Sequence, residues 1–128
     1  MGTSGHGSFE NDASQDWLWD LEGDRGWTLV ERTLHSLLDA DFRDIDFCQE
    51  AIAAAEVVAA CRGKAGVFFS DNPHHVEGRS RPSQTLTTLA KKAVAMVGQD
   101  SEAKTLWSSG DEYGEWLGAL QELQTRLG

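Results

Sequence analysis

Apolar residues recur every three or four positions along most of the chain, the spacing that places side chains on one face of an α-helix. A first helix is predicted from Asp12, which with Gln15 has the spacing of a capping box, to Gly23, a residue typical of helix C-termini. The clearest apolar stripe predicts a second helix over residues 27–38.

A third helix is predicted in "DFCQEAIAAAEVVAACRG", where Asp46 and Gln49 form the next capping box. Alanines lie on nearly every side of this helix and allow neighbouring helices to approach closely. We therefore expect it at the centre of the fold. A fourth helix is predicted to follow Ser83 and to end at Gly98.

Ser109 and Glu112 form a further capping box before a C-terminal helix, and residues 101–107 are compatible with a short additional helix. Residues 63–83 contain several glycines and prolines and no sustained period, which predicts a long loop. The chain is therefore expected to form an all-α fold, a compact bundle of about five helices that makes a single domain over residues 1–128.

The chain begins "MGTSGHGSFEND", a segment rich in glycine. Gly2, Gly5 and Gly7 permit backbone conformations and close contacts that side chains forbid. Phe9 could then lie across the start of the first helix. This pattern predicts an ordered Gly-rich N-terminal strap that is held against the bundle.

The formal net charge is −10, from 21 acidic and 11 basic residues, and the acidic excess is concentrated in the first half of the chain. Such a chain repels nucleic acids and anionic membranes, so we expect neither as a partner. The acidic half favours a basic protein partner instead. No apolar run approaches the ~20 residues of a membrane span, and no signal-peptide pattern precedes Arg25, so we expect a cytoplasmic protein.

Metal binding receives little support from the sequence. The acidic run 39–50 places some carboxylates as a calcium loop does, but Arg43 and Asp44 stand where a ligand and the turn glycine are needed. His74 and His75 are adjacent, so we expect their side chains to diverge, and no cysteine lies nearby to complete a zinc set. We expect no metal site and no cofactor.

Glu56 lies among apolar residues in "AIAAAEVVAA". A buried carboxylate needs a cation or hydrogen-bond donors, or it becomes protonated. We expect a structural role in a polar cluster of Asn11, Asp12, Asp16 and Glu56, so that Glu56→Gln keeps the fold while Glu56→Leu lowers the melting temperature. The alternative is a hydrolytic or metal-dependent enzyme that uses Asp12, Asp16 and Glu56.

Trp19 points away from Trp17, because two residues turn a helix by about 200°. It either packs beneath the strap, which we prefer, or is exposed and contacts a partner. His74 and His75 are further candidates for partner contacts. The overall prediction is a protein-binding module, of an immunity or regulatory type directed at a basic partner, with enzymatic activity the less favoured alternative.

The segment "MGTSGHGSFENDASQDWLWDL" resembles the start of an uncharacterised bacterial family, domain of unknown function 4259, whose members open with Met-Gly-x-Trp-Gly-x-Gly-x-Phe-x-Asn-Asp. The matching positions are Gly2, Gly5, Gly7, Phe9, Asn11, Asp12 and Asp16. Ser4 stands where the family has tryptophan. The resemblance continues around Glu56 and, more loosely, at Trp107 and Trp116. It implies the identity of the domain and no particular activity.

Overall fold

The computed structural model describes residues 8–128, which form seven α-helices and one 3₁₀ turn without a β-strand. The helices are α1 (Asp12–Glu22), α2 (Thr28–Asp39), α3 (Ile45–Cys61), α4 (Val67–Asp71), α5 (Gln84–Gln99), α6 (Glu102–Ser108) and α7 (Tyr113–Leu127), and the 3₁₀ turn is Pro73–His75. The all-α prediction is confirmed. None of the helices described is long and apolar enough to cross a lipid bilayer.

The expected number of about five helices is too low. The short helix α6 lies where the sequence left an additional helix open. The predicted loop over residues 63–83 is also not wholly irregular, because it contains α4 and the 3₁₀ turn. Both of these elements are shorter than the window over which a hydrophobic period can be recognised.

Helix α3 lies at the centre of the fold, as its alanines predicted. Every residue from position 51 to position 59 is buried, and the helix packs against α1, α2, α5, α6 and α7. Short alanine side chains let the neighbouring helix axes come close on several sides. Glu56 is the charged residue within this buried stretch.

The helices around α3 bury the apolar stripes that were read from the sequence. At most 1% of the surface of each of the following side chains is exposed: Val30, Leu34, Leu37, Val97, Leu123 and Leu127. Burying one such side chain contributes about 1.5–3 kcal/mol relative to leaving it in water. These stripes therefore supply the main attraction that holds the helices on α3.

Two helix starts differ from the predicted capping boxes. Helix α1 is capped by Asn11, whose side-chain oxygen accepts a hydrogen bond of 2.8 Å from the Ser14 amide, and Asp12 is already in the first turn. Helix α3 is capped by Asp44, whose carboxylate accepts from the Phe47 amide, two residues before the predicted cap. In both cases the residue that caps the helix and the residue predicted to cap it are within two positions of each other, and both have side chains that can cap a helix.

Other helix ends were predicted with mixed success. Helix α5 follows Ser83 as predicted, and Ser83 caps it by accepting a bond of 3.0 Å from the Leu86 amide. Ser109 instead donates its hydroxyl to the Leu106 carbonyl at the end of α6, so α7 begins without a side-chain cap. Gly23 ends α1 in a right-handed conformation, with φ −85°, and not in the left-handed one. Helix α5 continues one residue past Gly98.

The glycines of the predicted strap, Gly2, Gly5 and Gly7, lie outside the described residues. Phe9, at the end of that segment, is buried and stacks on Phe68 of α4 with ring centroids 4.3 Å apart. This contact joins the start of the chain to the region predicted as a loop. It also explains why five residues suffice for a helix there, since isolated helices of that length are unstable in water.

Candidate functional site

Two clefts lie on either side of α4, and Phe68 and Asn72 line both of them. The first, which we call the tryptophan cleft, has a volume of about 560 Å³ and is also lined by Gln15, Leu18, Trp19, Glu22, His74 and His75. The second, the ion-pair cleft, has a volume of about 380 Å³ and is also lined by Ser8, Phe9, Glu56, Val67, Glu122 and Arg126. Every residue that the sequence suggested for partner contacts lies in the first.

Trp19 is an exposed part of the tryptophan cleft. Its exposed fraction is 79%, whereas Trp17 on the opposite face of α1 is 3% exposed and donates its indole N–H to Thr33 Oγ1 at 2.9 Å. The divergence expected from helix geometry is therefore confirmed. The preference for packing beneath the strap is wrong, because Trp19 remains in contact with solvent.

The solvent-facing side of α1 is acidic. Asp12, Asp16 and Glu22 are exposed and are spaced three or four residues apart with Trp19, so they share its face. No lysine or arginine occurs in α1. We call these four residues the acidic tryptophan face. It presents a large apolar ring within a field of negative charge.

His74 and His75 form one wall of the tryptophan cleft, and their rings lie against each other with centroids 4.0 Å apart. The expectation that adjacent histidines diverge is therefore wrong. The reason is aromatic packing, because Phe68 also stacks with His75 at an interplanar angle of 23° and Phe69 meets the same ring edge-on.

Glu22 reaches this pair from α1, and its Oε1 lies 2.9 Å from His75 Nδ1. Burial, together with the neighbouring His74, holds the pKa of His75 below its ordinary value, although the hydrogen bond to Glu22 acts in the opposite direction. His75 is therefore mainly neutral at pH 7. One potential ligand atom from each of Glu22, His74 and His75 lies within 4.8 Å of the other two.

Arginine side chains hold the histidine segment against the end of α1. The Arg79 guanidinium donates to the Leu21 carbonyl at 3.1 Å and to the His75 carbonyl at 3.3 Å. Arg25 donates to the Glu77 carbonyl. The backbone positions of Glu22 and the two histidines are thereby coupled by hydrogen bonds to charged donors, which are stronger than neutral ones.

The ion-pair cleft is organised by Glu56. Its two carboxylate oxygens accept bonds of 2.8 and 3.0 Å from the two terminal nitrogens of Arg126, and Ser8 Oγ donates to Oε2 at 2.7 Å. Burial lowers the pKa of Arg126, but its hydrogen bonds to Glu56 and Glu122 outweigh burial and raise that pKa above its ordinary value. The structural ion pair expected for Glu56 is therefore present.

Gly66 lies directly over this ion pair. A Cβ atom at this position would be 2.9 Å from Glu56 Oε1, closer than real Cβ atoms approach, and 3.0 Å from the nearest Arg126 nitrogen, which is a tight contact. The backbone angles of Gly66, with φ −77°, are open to any residue. Close approach to the ion pair, and not backbone freedom, therefore favours glycine here, because a side chain would force the ends of Glu56 and Arg126 to shift.

The polar cluster predicted from the sequence is divided by the structure. Asn11 caps α1, Glu56 pairs with Arg126, and Asp12 and Asp16 face solvent beside Trp19. Among residues 8–128, the ligand atoms that converge as three belong to the Glu22 group and not to these carboxylates. Asp12, Asp16 and Glu56 therefore do not form a three-ligand group of this kind within the described part of the chain.

Sequence reasoning missed Glu22 and Arg126. Arg126 carried a signal, because it is the only basic residue of the C-terminal helix and the buried carboxylate of Glu56 required a cation. The signal for Glu22 was weaker: it lies three residues after Trp19 and so shares the same helix face. The approach of the histidine segment to α1 had no signal in the local sequence.

A comparison with protein families matches residues 2–119 to the family described as Domain of unknown function (DUF4259). The chain belongs to this family. The matched region of this DUF4259 member contains the whole tryptophan cleft as well as Glu56, whereas Arg126 lies beyond its end. Neither a curated protein nor a solved structure matches the chain.

Proposed function

We propose that this protein is a protein-binding module that contacts a basic partner through the acidic tryptophan face and the adjoining tryptophan cleft. The exposure of Trp19 is the observation that carries this proposal. Tryptophan is enriched among the residues that dominate binding energy at protein interfaces, where its ring enters an apolar pocket of the partner. A ring that is 79% exposed is available for such a contact.

The charge around Trp19 selects the chemistry of the partner. Asp12, Asp16 and Glu22 share the exposed side of α1 with the ring, and the chain as a whole carries a net charge of −10. Complementary charge accelerates association and disfavours partners of like charge. A partner with lysines and arginines around an apolar pocket fits this face, and a basic toxin neutralised by an immunity-type protein is one such partner.

The same charge disfavours self-association through this face, because two copies would bring their carboxylates together. The enzymatic alternative has less support than binding. Glu56 is engaged by Arg126 and Ser8, while Asp12 and Asp16 face solvent on α1. We propose a cytoplasmic location for the module, which fractionation of native cells with an antibody to the chain would check.

The proposal is tested with the full chain immobilised and exposed to a lysate of native cells, in parallel with Trp19→Ala and Phe42→Ala. Phe42 is 64% exposed but lies outside the tryptophan cleft, so it is a matched control for exposed apolar surface. We expect a basic protein that the wild-type chain and the Phe42 variant retain and the Trp19 variant does not.

The retained protein is then purified and its dissociation constant is measured by calorimetry at two salt concentrations. Loss of a dominant interface tryptophan costs about 2 kcal/mol or more, which is a weakening of about 30-fold. Higher salt should also weaken binding, because it screens the carboxylates of α1. Equal affinities for the two variants, or an acidic partner, would contradict the proposal. A solution mass of twice the chain that falls in Trp19→Ala would instead indicate self-association.

A further inference from the structure

We propose that Glu22, His74 and His75 form a binding site for one divalent transition-metal ion, with Zn²⁺ as the expected occupant. One ligand atom of each residue lies within 4.8 Å of the other two. The three ligands come from two separate elements, α1 and the 3₁₀ turn, so a bound ion would join them. This proposal does not depend on the proposed partner.

Binding requires the His74 ring to turn away from the His75 ring, because the lone pair of an imidazole nitrogen lies in the ring plane and the two rings now lie against each other. Zn²⁺ holds nitrogen and oxygen ligands at about 2.0–2.2 Å, so tetrahedral ligand atoms are about 3.4 Å from one another. Glu22 Oε1 and His75 Nδ1 are 2.9 Å apart, and the two imidazole centroids are 4.0 Å apart. Glu22 and His74 are exposed and can adjust without disturbing the core.

The backbone beneath the ligands is already held in place. Arg79 links the carbonyl of Leu21, next to Glu22, to the carbonyl of His75. Phe68 stacks on the His75 ring and limits its rotation. Metal binding therefore has little chain to order, and such supporting contacts commonly raise the affinity of a site. Arg25 lies 4.0 Å from Glu22 Oε2, on the oxygen that does not contact His75.

The ligand set indicates the class of metal. Two imidazole nitrogens and one carboxylate oxygen suit Zn²⁺ and related transition metals, whereas Ca²⁺ and Mg²⁺ prefer oxygen ligands alone. Three protein ligands leave a fourth position for water or another donor. Because all three residues line the tryptophan cleft, that position would open towards it.

The test is a titration of the metal-free full chain with Zn²⁺ in competition with a chromophoric chelator, on wild-type protein, Glu22→Gln and His74→Ala. We expect one Zn²⁺ per wild-type chain and a loss of affinity of at least about 100-fold in each variant, since removal of an outer-shell partner alone costs 10–100-fold. His35→Ala, which changes a histidine of α2 beside a different cavity, should leave the affinity unchanged.

Co²⁺ supplies a second readout, because a four-coordinate ion gives an intense visible absorption that both ligand variants should lose. Excess Mg²⁺ or Ca²⁺ should not displace Zn²⁺. The proposal is overturned if wild-type protein binds no Zn²⁺, if the ligand variants bind as wild type does, or if Mg²⁺ competes. Partner binding is judged on Trp19→Ala, which keeps all three ligands, so failure of either proposal can be recognised separately.

Discussion

Replacing Arg126 by methionine should be among the most destabilising single changes that can be made on α7. The substitution removes two charged hydrogen bonds to Glu56, whose side chain is 8% exposed, and leaves the Ser8 hydroxyl as the side-chain donor to that carboxylate among residues 8–128. Methionine retains most of the apolar stem of arginine, so loss of packing contributes little.

The expected cost follows from the burial of the pair. Breaking a buried ion pair by removal of one partner costs about 3–5 kcal/mol, since it leaves an uncompensated charge. The Arg126 side chain is 14% exposed and Ser8 still donates to Glu56, so we expect the lower end, about 3 kcal/mol. For a chain of 128 residues this corresponds to a fall of about 10 °C in the melting temperature.

Urea denaturation followed by far-ultraviolet circular dichroism measures this free energy of unfolding. Glu122→Gln is the matched control, because Glu122 bonds to the same guanidinium but its side chain is 61% exposed. We expect that control to cost less than about 1 kcal/mol, as exposed ion pairs do. Glu56→Gln should keep the fold. Glu56→Leu should lower the free energy of unfolding less than Arg126→Met does, because Arg126 would still have its ion pair with Glu122.

The double variant Glu56→Leu/Arg126→Met should recover much of the lost stability, because a buried ion pair can often be replaced by apolar residues at little cost. The resulting cycle should show a coupling energy of about 2 kcal/mol, within the range measured for residues in contact. If Arg126→Met is no more destabilising than Glu122→Gln, then the reasoning about the buried pair is wrong.

Three further changes test the packing and the helix start. Gly66→Ala should destabilise the protein by about 1–3 kcal/mol by forcing apart the ion pair, whereas Gly114→Ala, where the added Cβ meets nothing within 4 Å, should be neutral or stabilising; equal unfolding midpoints would contradict the close approach. Asn11→Ala should lower the free energy of unfolding, measured by chemical denaturation, by about 1 kcal/mol because it removes the α1 cap. Asp12→Ala should lower it distinctly less. If Asp12→Ala has the larger effect, the capping box predicted from the sequence is favoured instead. Trp17→Ala should lower the free energy of unfolding by about 3–5 kcal/mol and thereby reduce thermal stability, because Trp17 lies on the buried face of α1. A small effect would contradict the burial of Trp17.

The choice among neighbouring caps shows where local sequence is insufficient. Asp44 and Asp46 have the same capping chemistry, and either could begin α3. The structure selects Asp44 because the Ile45 amide donates to Glu102 Oε1 at 2.7 Å and the Glu102 amide donates to the Arg43 carbonyl at 2.8 Å. A contact between α3 and the start of α6 thus decides which of two candidate caps, two residues apart, begins α3.

The candidate sites show the same limit at longer range. Helix geometry alone required Trp17 and Trp19 to point in different directions, but only packing decided that Trp17 is buried beside Thr33 and that Trp19 is exposed. Similarly, the need of Glu56 for a partner was evident from its apolar surroundings, while its pairing with Arg126 joins residues 70 positions apart.

By itself, the sequence determined the helical class, the central place of the alanine-rich helix and the need of its acid for a partner, because periodicity, side-chain size and the cost of burying charge act over a few neighbouring residues. Only the tertiary structure decided which acids stand together, that α4 forms, and that two adjacent histidines meet Glu22. These outcomes depend on contacts such as Phe9 with Phe68, whose partners are distant in the chain and leave no periodic trace in it.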